Sequence, residues 1–524
     1  MDRQVLVHPT LFVAFPVLFL FARNFYYFDW HVLVLPGLLK AAAGLILWLL
    51  VRRFASNTKI AAIILSLSFL VTFSFGPVYE SLFSNVGVAV NANTILLTCA
   101  GIALAAGVLF IKLRRFVSQL TYVMNIVGTI LVCVPINTIL WSSYQVHTAR
   151  GLLPQREALQ LKVSAPEDGM QAPDVYYLVL DGYARKDVLA ELYEYDNSAF
   201  LSDLDTMGFY FAQRSNSNYM KTLHSLACTL NFEYLDERLG QHLQGYPDAK
   251  FLRELLSVNR LTRFLKEQGY SIVEVGSQLD FVKLRHADLY FDKWWFPKTF
   301  GSAFLQMTAL PWIFHSAGWP LLHDSHRARI EYQFDALGEI VHIPGPKFVL
   351  AHILVGHPPF VFGPNGEAET PDRMYSLFDG RAFLALPGAS RKEYVDGYRA
   401  HLNFLNKRIT ATLDTILAAS ERPPVIVIQG DHGPGSRLDF TSVEGTDLKE
   451  RFGILNACYF PEGGDEHLYD SISPVNTFRL VLNQYFGTQL QLLEDRSYFT
   501  PDQDPYRFIP VEPARIADDY RSSN

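Results

Sequence analysis

Two acids and three histidines stand at the ends of apolar runs. Asp181 directly follows VYYLVL (Val175–Leu180). Asp431 and His432 follow VIVIQ (Val425–Gln429) after a single glycine, in QGDHGPG. Short runs rich in β-branched and aromatic residues read as buried strands, so both acids are placed at strand ends. Glycines beside them let the backbone approach a small ligand. Two carboxylates with an imidazole suit a borderline cation such as Zn²⁺, or Mn²⁺ where oxygen ligands dominate. One strand-end Asp alone reads equally well as a helix cap; two such sites together point to a divalent metal. His352 and His357 flank the end of another run, in KFVLAHILVGHPPF. A histidine followed by two prolines at a strand end is placed to meet a ligand.

A nucleophile has candidates in NYMKTLHSLACTLN (Asn218–Asn231), where Thr222, Ser225 and Thr229 each carry a hydroxyl near the start of an expected helix. Such a hydroxyl attacks at neutral pH only when a base or a metal lowers its pKa. A helix N-terminus also favours the negative charge of a phosphate. On an ordinary amphipathic helix the same residues would be caps.

The elements that must hold these groups alternate. Strands are expected at Val175–Leu180, Ser271–Val275, Phe348–Leu354 and Val425–Gln429, and a helix at Tyr394–Ala419, where Tyr398, Leu402, Leu405, Ile409, Leu413 and Leu417 fall on one face. Alternating strands and helices imply an α/β domain with a mostly parallel sheet, whose ligands collect at the carboxyl ends of the strands. Leu289–Leu322 carries Trp294, Trp295, Phe296, Phe300, Phe304, Trp312, Phe314 and Trp319. Such a cluster suits a membrane interface, but a packed insertion covering the sheet is the preferred expectation. Beyond Phe499 the chain reads as a surface-wrapping or loose tail.

The front of the chain differs in kind. Of 524 residues, 49% are hydrophobic and only 19% charged, and the apolar excess lies before residue 141. Five stretches there (Leu6–Ala22, Val32–Leu50, Ile60–Leu82, Thr94–Ile111 and Leu120–Leu140) each approach the ~20 residues that cross a bilayer. Arg52, Arg53, Lys59, Lys112, Arg114 and Arg115 fill two of the loops, while Asn24–His31 and Ser84–Asn93 have no Lys or Arg. The positive-inside rule puts the N-terminus in the cytoplasm and everything after the fifth span outside it. The expected domains are a five-helix transmembrane bundle (1–141), a connector (142–173), an extracytoplasmic α/β domain (174–499) and a tail (500–524). A net charge of −7 gives no footprint for nucleic acid. Four cysteines, none in a CxxC pair, are too few for a disulfide framework and read as free buried thiols.

Together these motifs resemble the sulfatase-like branch of the alkaline phosphatase superfamily, above all its membrane-bound phosphoethanolamine transferases and lipoteichoic acid synthases. The resemblance implies five spans followed by a sulfatase-like domain with a metal-activated threonine. The Thr-x-x-Ser-x-x-Cys element matches Thr222, Ser225 and Cys228, which makes Thr222 the nucleophile. The strand-end acid with its following Arg matches Asp181 and Arg185, and Asp-His-Gly matches Asp431 and His432. Asp181, Thr222, Asp431 and His432 would then surround one metal, Zn or Mn. His357 would help to bind a second metal or the phosphoryl group. His357 and His352 would protonate the leaving group or activate the acceptor.

Three departures are visible. Asp181 stands where the transferases usually have Glu. Asn218 replaces the Cys of a family disulfide. No His occurs in Ser436–Phe452, so a complete second metal site is not expected. The formylglycine motif of true sulfatases is absent, since Cys228-Thr-Leu-Asn-Phe does not fit it. The implied function is transfer of a phosphoethanolamine- or phosphoglycerol-type group from a membrane phospholipid to a glycan or lipid acceptor of the cell envelope. It would occur at a bacterial inner membrane, with the catalytic domain periplasmic or extracellular. Hydrolysis with water as acceptor, or an inactive membrane scaffold, are the alternatives.

Overall fold

The computed structural model describes the chain outside residues 1–4, 55–56, 87–96, 98–100, 102–115, 154–172, 294–297, 372–374, 387 and 519–524. It divides into two compact units: Met1–Arg150 with Pro297–Leu322, and Gly151–Phe296 with His323–Asn524.

In the first unit, three helices are long and apolar enough to cross a membrane: Trp30–Arg53, Thr58–Val78 within a longer helix, and Val117–Arg150. The helices are α1 (His8–Arg23), α2 (Val34–Phe54), α3 (Thr58–Val86) and α4 (Val117–Arg150). Of the five expected spans, α2, α3 and α4 cover the second, third and fifth. The first is a shorter apolar helix of 16 residues. The expected fourth lies, apart from Leu97 and Gly101, outside the described residues. α4 continues as a helix past the expected boundary at 141 to Arg150. Polar side chains tie the bundle where lipid offers no partners: Asn125 Oδ1 accepts the backbone N–H of His8 at 3.0 Å, and His8 Nδ1 meets Ser66 Oγ at 2.7 Å.

The aromatic segment departs from expectation. Residues Pro297–Leu322 group with the helical unit and not with the unit that holds the sheet. Phe304 and Met307 pack with Val17, Leu20, Leu33 and Phe73, and Phe300 meets the ring of Phe28 edge-on at 5.0 Å. From Thr299 on, the segment has no Asp, Glu, Lys or Arg, so burial of its apolar side chains against apolar helices is favourable.

The second unit is built on a seven-stranded sheet in the order β2-β7-β6-β1-β5-β3-β4. The strands are β1 (Val175–Leu180), β2 (Tyr210–Phe211), β3 (Ser271–Val275), β4 (Leu289–Phe291), β5 (Lys347–Ile353), β6 (Val425–Gln429) and β7 (Asn456–Tyr459). β6, β1, β5, β3 and β4 run parallel; β7 runs against them, and β2, antiparallel to β7, takes their direction again. The central strands are buried along their whole length, as parallel strands with helices on both faces must be. On one face Leu402, Leu405, Ile409 and Leu413 of helix Arg391–Ala419 join the core with Val349, Ala351, Ile426 and Ile428. On the other, Phe478 of helix Pro474–Phe486 meets the ring of Tyr177 at 5.1 Å. Among the described residues, the chain beyond Phe499 is packed: β8 (Ser497–Phe499) and β9 (Ile509–Val511) form a hairpin, and Phe499, Val511 and Ile516 pack with Met220, Leu448 and Phe452. Cys228 and Cys458 are separate buried thiols.

Candidate metal centre

Three adjacent strands, β6, β1 and β5, deliver the chemistry at their carboxyl ends. The register pairs Val179 of β1 with His352 of β5 and with Gln429 of β6. Asp181, His352 and Asp431 are thereby brought to one place, with one ligand atom of each within 4.8 Å of the others. The strand ends come close through two glycines. A Cβ on Gly356 would lie 2.4 Å from the carbonyl oxygen of Gly182, and Gly182 itself has φ +72°. Any side chain there would push the two strand ends apart.

All three residues are buried, at 0–1% exposure. His352 Nε2 lies 3.3 Å from Asp181 Oδ2 and 4.0 Å from Asp431 Oδ2. Its Nδ1 is held by Ser277 Oγ at 2.9 Å, just past the end of β3, which leaves Nε2 to face the acids. His432 Nδ1 is hydrogen-bonded to its neighbour's carbonyl, Gly433 O, at 3.0 Å. This leaves Nε2 as a lone pair 3.2 Å from Thr222 Oγ1, 3.4 Å from Asp431 Oδ2 and 3.7 Å from Asp181 Oδ1. Thr222 is the first residue of helix Thr222–Asn231 and retains 8% exposure.

This cluster fits a cation. Both oxygens of Asp181, Asp431 Oδ2 and His352 Nε2 are buried without a hydrogen-bond partner, an arrangement that costs free energy unless a positive charge satisfies it. Without a metal the charge falls on His352. Burial opposes it, but the two carboxylates outweigh burial and push its pKa up to about 9. Burial likewise favours a neutral Asp431, and His432 and His352 overcome it and hold the carboxyl below the usual range. Burial and the nearby Arg451 keep His432 below its ordinary value despite the two acids. Two imidazoles and two carboxylates are the donor set of a borderline divalent cation.

Of the residues singled out from the sequence, Asp181, Thr222, His352, Asp431 and His432 come together. His357 does not join the convergent triad. Its Nδ1 sits 2.6 Å from Pro358 O, and the prolines that follow it line a cavity of about 460 Å³ together with Phe360, Glu369, Glu393 and Asp396 among others. Arg185 is occupied by Asp187 and by Ser215 O and Asn216 Oδ1.

Sequence reasoning missed the residues that hold the site. Arg451 donates to Met220 O at 2.8 Å and to Gly433 O at 2.9 Å, tying the segment before Thr222 to the one after His432. Tyr398 donates to Gly182 O and accepts from Ala184 N. Ser277 was findable, because it follows SIVEV after one glycine as Asp431 follows VIVIQ. Arg451 and Tyr398 carry no comparable signal.

No protein-family model matches the chain, and no curated protein matches it. Among solved structures, it is similar to the C-terminal periplasmic domain of EptC from Escherichia coli in complex with Zn, at 12% identity and a TM-score of 0.44, over 68% of this chain and 96% of that one. It is also similar to the integral membrane protein lipooligosaccharide phosphoethanolamine transferase A from Neisseria meningitidis (12% identity, TM-score 0.39, 91% of this chain and 95% of that one). A third is the lipoteichoic acid synthase LtaP from Listeria monocytogenes (11% identity, TM-score 0.36, 66% and 80%). These are the kinds of protein that the sequence motifs resemble. At these scores the likenesses are distant, and the chemistry of the site has to stand on its own residues.

Proposed function

We propose that the protein is a membrane-anchored, metal-dependent phosphotransferase that uses Thr222 as nucleophile and takes a phospho-alcohol group from a phospholipid. The observation that carries this reading is Thr222 Oγ1 at 3.2 Å from His432 Nε2, at the edge of buried carboxylates that lack partners. Asp181, Asp431, His352 and His432 would hold the metal, with Thr222 beside it; the two imidazoles favour zinc over manganese. A bound divalent cation supplies Lewis acidity, which lowers the pKa of a nearby hydroxyl and screens phosphate charge.

The chain's own residues do the rest. Thr222 Oγ1 bonds to phosphorus as the phosphorus–oxygen bond to the lipid alcohol breaks. The leaving oxygen takes a proton from His357, the residue next to the prolines that line the cavity. An acceptor hydroxyl then gives His357 its proton and attacks the phosphothreonine, freeing Thr222. Arg451 keeps nucleophile and His432 in register by bonding the backbone on both sides. The cavity beside His357 has apolar walls and three carboxylates, Glu369, Glu393 and Asp396, with Lys392 paired to Asp396. That surplus of negative charge favours an ammonium-bearing headgroup such as ethanolamine over glycerol. The acceptor is a hydroxyl of an envelope glycan or lipid, and the domain works outside the cytoplasm.

The test is intact mass after incubation with mixed phospholipids and Zn²⁺ or Mn²⁺. The wild type should gain the mass of a phosphoethanolamine group, and Thr222→Ala should gain nothing while still binding metal. Lipid turnover in the variant should fall on the order of 10⁴-fold. An equal adduct on both proteins sinks Thr222 as nucleophile. Lipid cleavage without any adduct would favour water as the acceptor.

A further inference from the structure

Residues Thr299–Leu322 include no Asp, Glu, Lys or Arg, although the chain enters this stretch from strand β4 of a water-soluble fold and leaves it for helix Leu321–Ile340 of the same fold. Its two short helices, Thr299–Gln306 and Leu310–Ser316, have two different faces. The inner face is docked. Phe304 meets the ring of Phe73 at 5.3 Å, and Gly76 N donates to Met307 O at 3.1 Å. Gly76 has no alternative there, because a Cβ would lie 2.0 Å from Gln306 O.

Lys40 sits in the same contact. It is 4% exposed and its Nζ has no hydrogen-bond partner. Its ammonium instead lies over the rings of Phe73 at 4.0 Å, Phe69 at 5.4 Å and Phe304 at 5.9 Å. A lysine inside an apolar helix is costly and marks a function, and ring faces are a partner it can use without water. Phe304 thus completes a cage around a charge that α2 and α3 alone leave partly open.

The outer face is bare and apolar: Leu310, Ile313, Trp319 and Leu321 are 45–68% exposed. The docking residues also agree on a side. Phe28 follows α1, Lys40 lies about 9 Å into α2 from its first residue, and Gly76 is in the later part of α3. These are the ends remote from Arg52, Arg53 and Lys59, hence the extracytoplasmic ends by the positive-inside rule. That is the side on which the chain emerges from α4.

We propose that residues 299–322 form a lipid-contacting hairpin, clasped to α1, α2 and α3 by Gly76 and the Lys40–Phe304 cage, with Leu310, Ile313 and Trp319 lying in the outer interface of the bilayer. The occupant of this face is phospholipid, because an uncharged apolar face continuous with membrane helices has that solvent beside it. The proposal does not depend on the chemistry at Thr222.

It is tested with full-length protein in phosphatidylethanolamine/phosphatidylglycerol vesicles. Nitroxide labels go on Ile313→Cys or Trp319→Cys, in a Cys99→Ser/Cys133→Ser background. Collision with oxygen, which partitions into lipid, is compared with collision with a water-soluble nickel chelate. Two labels calibrate the scale: Ile130→Cys on α4, 55% exposed, and Lys392→Cys in the α/β unit, its side chain 86% exposed. The hairpin labels should match position 130. Behaviour like position 392, or shielding from both reagents by covering protein, would overturn the proposal. Gly76→Ala should then free the hairpin, broadening label motion at 313 and raising nickel access severalfold, with Phe304→Ala giving a smaller change in the same direction. Unchanged label motion in Gly76→Ala would overturn the clasp.

Discussion

Asp379 and Asp181 are both buried carboxylates in the α/β unit, and their surroundings are opposite. Asp379 accepts from Tyr394 OH at 2.8 Å and from Arg451 Nη1 at 3.0 Å. Burial favours its neutral form, but Arg451 outweighs burial and holds the carboxyl below its ordinary range. Asp181 accepts nothing on either oxygen and shares its space with a second acid and two imidazoles. The first cluster is complete with the atoms that the chain supplies. The second is complete only with something added. A fold tolerates one incomplete cluster of this kind when binding repays the strain, and the complete cluster next to it is what keeps the incomplete one in shape.

Substitutions should therefore act differently in the two clusters. The largest effect is expected for Asp431→Asn, which removes a charge from the incomplete cluster. Metal affinity measured by competition with a chelator should fall at least about 100-fold, and activity with it. The metal-free variant should melt somewhat lower than metal-free wild type, because protonated His352 loses one of its two carboxylate partners. A fall as large as that for breaking the complete cluster would break the contrast.

Arg451→Met makes the complete cluster incomplete. Asp379 is left buried without its cation, at a cost of about 3–5 kcal/mol in denaturant unfolding, and Met220 and Gly433 lose their common donor. Metal affinity should change less than stability does.

Glu450 sharpens the comparison through pH. It is fully buried and receives hydrogen bonds from Tyr193, Ser436 and the backbone of Arg437. Burial nevertheless raises its pKa from 4.5 to about 7. A folded pKa above the unfolded one gives stability that is complete below the unfolded value and lost as pH rises through the folded one. Glu450→Gln should cancel this term. The stability difference between variant and wild type should then move in the variant's favour by on the order of 2–3 kcal/mol between about pH 5 and about pH 8. A pH-independent difference would remove Glu450 from the account.

The smallest effect is expected for Ser277→Ala. It frees His352 Nδ1 without touching a ligand atom and should weaken metal binding about tenfold, with the melting temperature of the metal-free protein nearly unchanged.

Much of the centre was legible in the sequence because a buried parallel strand is a continuous apolar run, and the residue that ends the run is at the sheet's active edge. That is why Asp181, Asp431 and His432 could be placed. His352 and His357 could be found but not sorted: which of the two faces the acids depends on the register of β5 against β1, and register leaves no trace in a strand that is apolar on both faces. Strands β2 and β7, two and four residues long, and the closing hairpin β8–β9 are too short to carry a period. Arg451 was invisible for a different reason, since its partners are backbone carbonyls, which every residue has. In the aromatic segment, composition revealed that Phe300 and Phe304 are buried but not against what, because apolarity is not directional.

The passage of the chain out of the α/β unit at Phe296 and back at His323 also bears on how the catalytic unit is obtained in isolation. Cutting after Arg150 releases the sheet from α1–α4 but leaves it carrying 24 uncharged residues whose seat has been removed. Such a fragment should precipitate or cling to detergent however well its sheet folds. Replacing 298–322 with a short Gly/Ser bridge in addition to that cut should give a soluble, metal-binding enzyme domain.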